Sequence, residues 1–123
     1  MRVAHVALWA RDLETVCAFY EGLGATRGER YANPRTGFSS YFLSWPGSDV
    51  RLEVMHRGDV TAEPAAGATG WAHVALAVGS EQEVDRWAAV LGDRVLSGPR
   101  RTGDGYYECV VADPEGNHVE ITA

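Results

Sequence analysis

The sequence predicts an α+β protein made of two tandem βαβββ modules. Three observations lead there. The tetrapeptide HVAL stands at positions 5 to 8 and again at 73 to 76, each copy lies in an apolar run, and the segments after each copy match in order. His5 and His73 lie 68 residues apart (73 − 5); at that offset Ala4 repeats as Ala72, Val16 as Val84, Leu23 and Gly24 as Leu91 and Gly92, Gly37 as Gly105, and Pro46 as Pro114. The last strands align at 67 (120 − 53), because one turn is a residue longer in the first copy, and this sets Glu53 on Glu120.

Module one, residues 1–56, opens with the strand "RVAHVALWA". Asp12 then caps a helix that places Leu13, Val16, Tyr20 and Leu23 at helical spacing and ends at Gly24. Extended segments follow at 26–31, 38–45 and 50–56. Module two, residues 71–123, repeats the order: the strand "WAHVALAVG", a capping box of Ser80 and Glu83, a helix carrying Val84, Trp87, Ala88 and Leu91, a stop at Gly92, and strands at 94–97, 106–112 and 118–122. Between them "RGDVTAEPAAGATG", residues 57–70, has no apolar period and reads as a linker. At 123 residues the whole fits a single domain, 1–123.

Composition excludes several functions. A hydrophobic fraction of 46% with 23% charged residues is that of a soluble globular protein, and no apolar run approaches a membrane span. The start "MRVAHVALWARD" lacks the layout of a secretory signal, so a cytoplasmic protein is expected. A net charge of −6 would repel a phosphate backbone, which argues against nucleic acid as a partner. All eleven basic residues are arginine, so no lysine forms a Schiff base or completes a P-loop. "GLGATRG" follows a helix and has the wrong spacing for a nucleotide loop. Cys17 and Cys109, without CxxC spacing, read as two buried thiols.

Strand alternation sorts the polar residues. Val6 and Leu8 share one face of the first strand, and Val3, His5, Ala7 and Trp9 the other. The fifth strand splits alike, with His73 opposite Val74 and Leu76. Val50, Leu52 and Val54 leave Arg51, Glu53 and Met55 on the other face; Val119 and Ile121 leave His118, Glu120 and Thr122. A single strand histidine is ordinarily a hydrogen-bonded core residue, and a single strand glutamate a solvated one. Here two of each occupy matching faces of a repeat. If each sheet curls into a trough and the troughs face one another, the curled sheets enclose a cavity on which His5, Glu53, His73 and Glu120 converge. Buried carboxylates require a counter-charge, and two imidazoles with two carboxylates suit Zn, Ni, Co, Mn or Fe(II).

These modules, with "HVALWARDLETVCAFYEGLGA", "FSSYFLSW", "VRLEVM", "GWAHVALAVGS" and "DPEGNHVEIT", resemble the vicinal oxygen chelate superfamily over nearly the whole chain, and its glyoxalase I-like branch most. The resemblance implies one octahedral divalent metal, Ni or Zn favoured, held by His5, Glu53, His73 and Glu120 with two waters. It implies a lyase/isomerase of the lactoylglutathione lyase type, which converts the hemithioacetal of methylglyoxal and a thiol to a thioester through an enediolate. Glu120 matches the base and Glu53 its partner on the metal. Trp9, Arg51 and His118 lie on the expected cavity face and are candidates to touch substrate, with Trp71, Phe38, Tyr41, Tyr106 and Tyr107 as further aromatic candidates. Arg100 and Arg101 are candidates for a thiol's carboxylates, with solvated surface as the ordinary reading.

Four alternatives stay open. Fosfomycin thiol-transferases of the superfamily share a three-ligand core, and Glu53 counts against them. Extradiol dioxygenases of the superfamily use two His and one Glu, and Glu53 would fill a position they keep open. A CoA epimerase has the four-ligand layout and similar enolate chemistry, but this sequence shows no basic platform for CoA. Bleomycin-resistance proteins use the scaffold without metal, to sequester a drug. A homodimer is expected, since paired assemblies are the commonest and the family commonly pairs.

Overall fold

A computed structural model describes residues 1–60, 70–103 and 105–123. Most of the predicted linker, residues 61–69, lies outside them. The chain divides into two compact units, Met1–Glu63 and Pro64–Ala123.

In the first unit the elements are β1 (His5–Trp9), α1 (Leu13–Gly22), β2 (Thr26–Arg27), β3 (Tyr31–Asn33), β4 (Phe38–Ser44) and β5 (Arg51–His56). Asp12 caps α1 as its sequence position requires, accepting from the backbone N–H groups of Glu14 (3.0 Å) and Thr15 (3.1 Å) and from the Thr15 hydroxyl (2.7 Å). These bonds, those with Thr15 foremost, hold its carboxyl below the usual range. At the other end Gly24 takes φ +87°. There the Gly24 N–H donates to Glu21 O (3.0 Å) and the Ala25 N–H to Tyr20 O (3.1 Å), closing the helix with a left-handed glycine. The Trp45 indole N–H satisfies the remaining Leu23 carbonyl at 3.0 Å.

Strand order is β1-β5-β4-β2, with β3 also on β4 and β1 parallel to β5. The predicted strand 26–31 is two pieces. Arg27 pairs with Leu43 and Tyr31 with Ser40, so four steps on one strand meet three on the other and one continuous ladder cannot form. Helix α1 buries Leu13, Val16, Cys17 and Tyr20, and across from them lie Leu43, Leu52 and Val54, all buried. Arg27 of β2 ties the helix down through ion pairs with Glu14 and Glu21.

The second unit contains β6 (Val74–Ala77), α2 (Glu81–Leu91), a 3₁₀ turn (Gly92–Arg94), β7 (Val95–Arg101), β8 (Tyr107–Ala112) and β9 (His118–Thr122), ordered β6-β9-β8-β7 with β6 parallel to β9. Ser80 caps α2 through the Glu83 N–H at 3.3 Å, while the Glu83 carboxylate takes Arg86. Strand β7 runs past its predicted end because a bulge, not a turn, interrupts it. Its register with β8 shifts between Ser97 and Arg100. Gly98 in the bulge has φ +87°, and a Cβ there would sit 2.6 Å from Glu108 O, so only glycine fits.

Both β1 and β6 are edge strands, and Val6, Leu8, Val74 and Leu76 on them are only half-buried. The core of the second unit is Val84 and Ala88 of α2 against Cys109, Val111, Val119 and Ile121. Ile121→Ala is expected to cost about 2–5 kcal/mol, read as a lower urea midpoint with unchanged slope.

Both cysteines are free and buried. Burial pushes the Cys17 thiol up to about 11, and burial likewise raises that of Cys109. Neither thiol should react with a disulfide reagent at neutral pH until the chain unfolds. Fast labelling of either in native protein would contradict this packing.

Candidate metal centre

In the first unit β1 and β5 run side by side, with His5 opposite Arg51 and Ala7 opposite Glu53. His5 and Glu53 are therefore diagonal neighbours on the face turned away from α1. His5 Nε2 and Glu53 Oε2 lie 3.8 Å apart, with the imidazole 43% exposed and the carboxylate side chain 15% exposed. Phe42, opposite Glu53 on β4, meets the His5 ring edge-to-face at 5.3 Å and carries the Arg51 guanidinium over its own ring at 4.2 Å. Trp9 lies further along the face, edge-to-face with Phe38 at 6.1 Å and under Arg57 at 5.1 Å.

The second unit repeats the construction. His73 immediately precedes β6, and Glu120 stands opposite Ala75, so the same diagonal joins them. His73 Nε2 and Glu120 Oε2 are 3.2 Å apart, 44% and 18% exposed. The two pairs thus match in residue type, strand offset and exposure. Two donors at right angles, each about 2.1 Å from one ion, sit about 3 Å apart, so the second pair has the spacing of adjacent ligands and the first is slightly wider. Neutral imidazole and carboxylate are the donors a borderline divalent cation takes, and their partial exposure leaves them reachable. The residues fit such an ion. Among the described residues the structure gathers these donors as pairs, and no group of three or more His, Cys, Asp or Glu side chains stands together.

The remaining candidates separate clearly. His118 is exposed at the start of β9, on the face of Glu120. Tyr41 and Tyr107 are not on that face: Tyr41 donates to Glu14 at 3.0 Å and Tyr107 to Asp85 at 2.8 Å, so each anchors a helix to its sheet. Arg101 is ion-paired with Glu81 of α2. Trp71 and Tyr106 are exposed. Arg100 pairs with Glu108 at 3.2 Å. Sequence reading missed Phe42, Ser40 and Glu108 on the donor faces and drew nothing from Thr122. The signal was present, since alternation from Phe38 and Tyr106 assigns each of the first three to its face, but pairing registers were needed to use it.

Several solved structures share the fold of this chain. A glyoxalase family protein from Enterococcus faecalis superposes with a TM-score of 0.81 at 23% identity, covering 99% of this chain and 97% of that one. The trypanothione-dependent glyoxalase I of Leishmania major gives 0.76 at 22% identity, covering 98% and 85%. Glyoxalase I from Zea mays gives 0.80 at 20% identity, covering 98% of this chain but 44% of the maize chain. At these identities the likeness shows the fold alone. No curated protein matches the sequence. The profile of one family, however, matches residues 2–121, nearly the full length. The repeated βαβββ unit and that match together place the chain in the Glyoxalase/Bleomycin resistance protein/Dioxygenase superfamily.

Proposed function

We propose that this protein is a metal-dependent glyoxalase I-like isomerase that converts the hemithioacetal of methylglyoxal and a small thiol to the thioester. One observation carries the reading: both units build the same His–Glu pair on the same diagonal of a parallel strand pair, at nearly equal exposure. A drug-sequestering module has no use for the duplicated carboxylates. His5, Glu53, His73 and Glu120 would together hold one divalent ion, Ni or Zn favoured, with Co, Mn or Fe(II) as further fits. Bound there, the ion would supply Lewis acidity to the oxygens of substrate.

The protein's own groups do the rest. Glu120 takes the proton from the carbon bearing sulfur and returns it to the neighbouring carbon, so the carbonyl and the hydroxyl exchange places and no redox partner is needed. Glu53 would serve as an oxygen ligand to the ion and takes no part in the proton transfer. Arg51, seated on Phe42 without an ion-pair partner among the described residues, offers its charge to a carboxylate of the thiol. Trp9 and Phe38 face the apolar part, and His118 the substrate's edge. The proposed active form is a cytoplasmic homodimer acting on a small molecule rather than on nucleic acid or membrane.

The test is the metal content of purified protein, then assay of the metal-loaded form on methylglyoxal with several thiols. Thioester formation supports the isomerase. Catechol cleavage with Fe(II), epimerisation of a CoA ester, or tight drug binding by metal-free protein would each replace it with one of the other superfamily activities.

A further inference from the structure

Beside the donor pair of the second unit lies a polar row that the isomerase reading does not use. Across the sheet Arg100 is opposite Glu108, Glu108 opposite Thr122, and Thr122 opposite Ala77. The next row on the same face runs Val110, Glu120, Ala75. The rows are two residues apart along each strand, roughly 7 Å. Ala77, opposite Thr122, contributes only a methyl group, so nothing bulky from β6 stands over Thr122.

One group in the polar row lacks a partner among the described residues, and its neighbour Glu108 has acceptor capacity to spare. The Glu108 side chain is only 10% exposed, yet among the described residues its carboxylate meets a single group, Arg100 at 3.2 Å. Two carboxylate oxygens have about four acceptor positions, and a buried carboxylate ordinarily fills most of them. Directly opposite, the Thr122 hydroxyl oxygen is buried with no hydrogen-bond partner among the described residues. Thr122 as a residue is only partly buried, and turning its χ1 exchanges the hydroxyl with the methyl. The Arg100 guanidinium is held in place by Ser97 Oγ, which accepts from it at 2.9 Å, and by the bulge at Gly98.

This combination selects a ligand chemistry. An ammonium group would compete with Arg100 for Glu108, and a carboxylate would be repelled by Glu108. A neutral hydroxyl has one donor and two acceptor positions, so it can donate to the Glu108 carboxylate and accept from both Thr122 and Arg100. We propose that Glu108, Thr122 and Arg100 form a specificity site for a hydroxyl group on the substrate, about 7 Å from the Glu120 row, so that the preferred substrate is a hydroxylated carbonyl compound. The proposal rests on Glu120 belonging to the metal centre described above.

Because Glu108→Ala would strand Arg100 and risks misfolding, the variant of choice is Thr122→Val, which removes a hydroxyl that has no partner and keeps the shape. The probes are two metal chelators of equal length, butanohydroxamate and 4-hydroxybutanohydroxamate, titrated calorimetrically into Ni(II)-loaded protein. The wild type should bind the hydroxylated probe at least about tenfold more tightly, and Thr122→Val should lose about tenfold of that preference. Equal affinity of the two probes, no binding of either, or a preference unchanged in Thr122→Val overturns the hydroxyl site. Turnover of the methylglyoxal–thiol adduct, measured on the same samples, separates the two ideas: its absence beside an intact hydroxyl preference removes the isomerase reading and leaves this site standing.

Discussion

Glu120→Gln should lower kcat for the methylglyoxal–thiol adduct by about 10²- to 10⁴-fold while most of the bound metal stays. The amide keeps an oxygen donor of the same shape but cannot accept and return a proton at any working pH. Glu120 is held by pairing on both sides, with Ala75 on β6 and Val110 on β8, so the substitution leaves the strand framework as it is. Glu53→Gln is the control, since it makes the same chemical change in the matching place of the other unit. If Glu120 is the base, the Glu53 variant loses much less kcat. The reverse ranking would assign the proton transfer to Glu53, and equal, small losses would remove carboxylate base chemistry altogether.

Removal of either imidazole should empty the site. In His5→Ala or His73→Ala the affinity for Ni or Zn is expected to drop by more than about 10²-fold, since even outer partners of metal ligands carry 10- to 100-fold. Both rings are nearly half-exposed, so neither alanine variant opens a core cavity and both should unfold at urea concentrations close to wild type. Metal content of the purified variants, measured beside their urea midpoints, distinguishes lost ligation from lost fold. The duplication demands that the two variants behave alike. Full uptake in either one would show that its unit contributes nothing to the ion, and the four-donor centre would fall.

Several elements were legible because the forces that form them are local. Asp12 and Ser80 begin helices by accepting from N–H groups two or three residues on, and Gly24 ends one because a left-handed turn costs glycine little. The offset of 68 residues (73 − 5) transferred each assignment from one module to the other. Other features were not local. The break between β2 and β3 depends on a one-residue mismatch with β4, and the length of β7 on a bulge whose glycine is dictated by the Glu108 carbonyl. Tyr41 and Tyr107 were grouped with the pocket candidates because aromatic residues in strands look alike in sequence. Their partners Glu14 and Asp85 lie 27 and 22 residues away.

The sequence alone determined the repeat, the order of elements and the shared strand faces of His5, Glu53, His73 and Glu120, because chain duplication and strand alternation are written in residue spacing. It also determined that no lysine would be present to neutralise their carboxylates. Only the tertiary structure decided which residues stand beside them. Parallel pairing of β1 with β5 and of β6 with β9 fixed the diagonal that brings each imidazole within 4 Å of its carboxylate, and the β7–β8–β9 register set Arg100, Glu108 and Thr122 in a row. Register is a property of two strands at once: a slip of one residue would turn every one of these side chains to the opposite face.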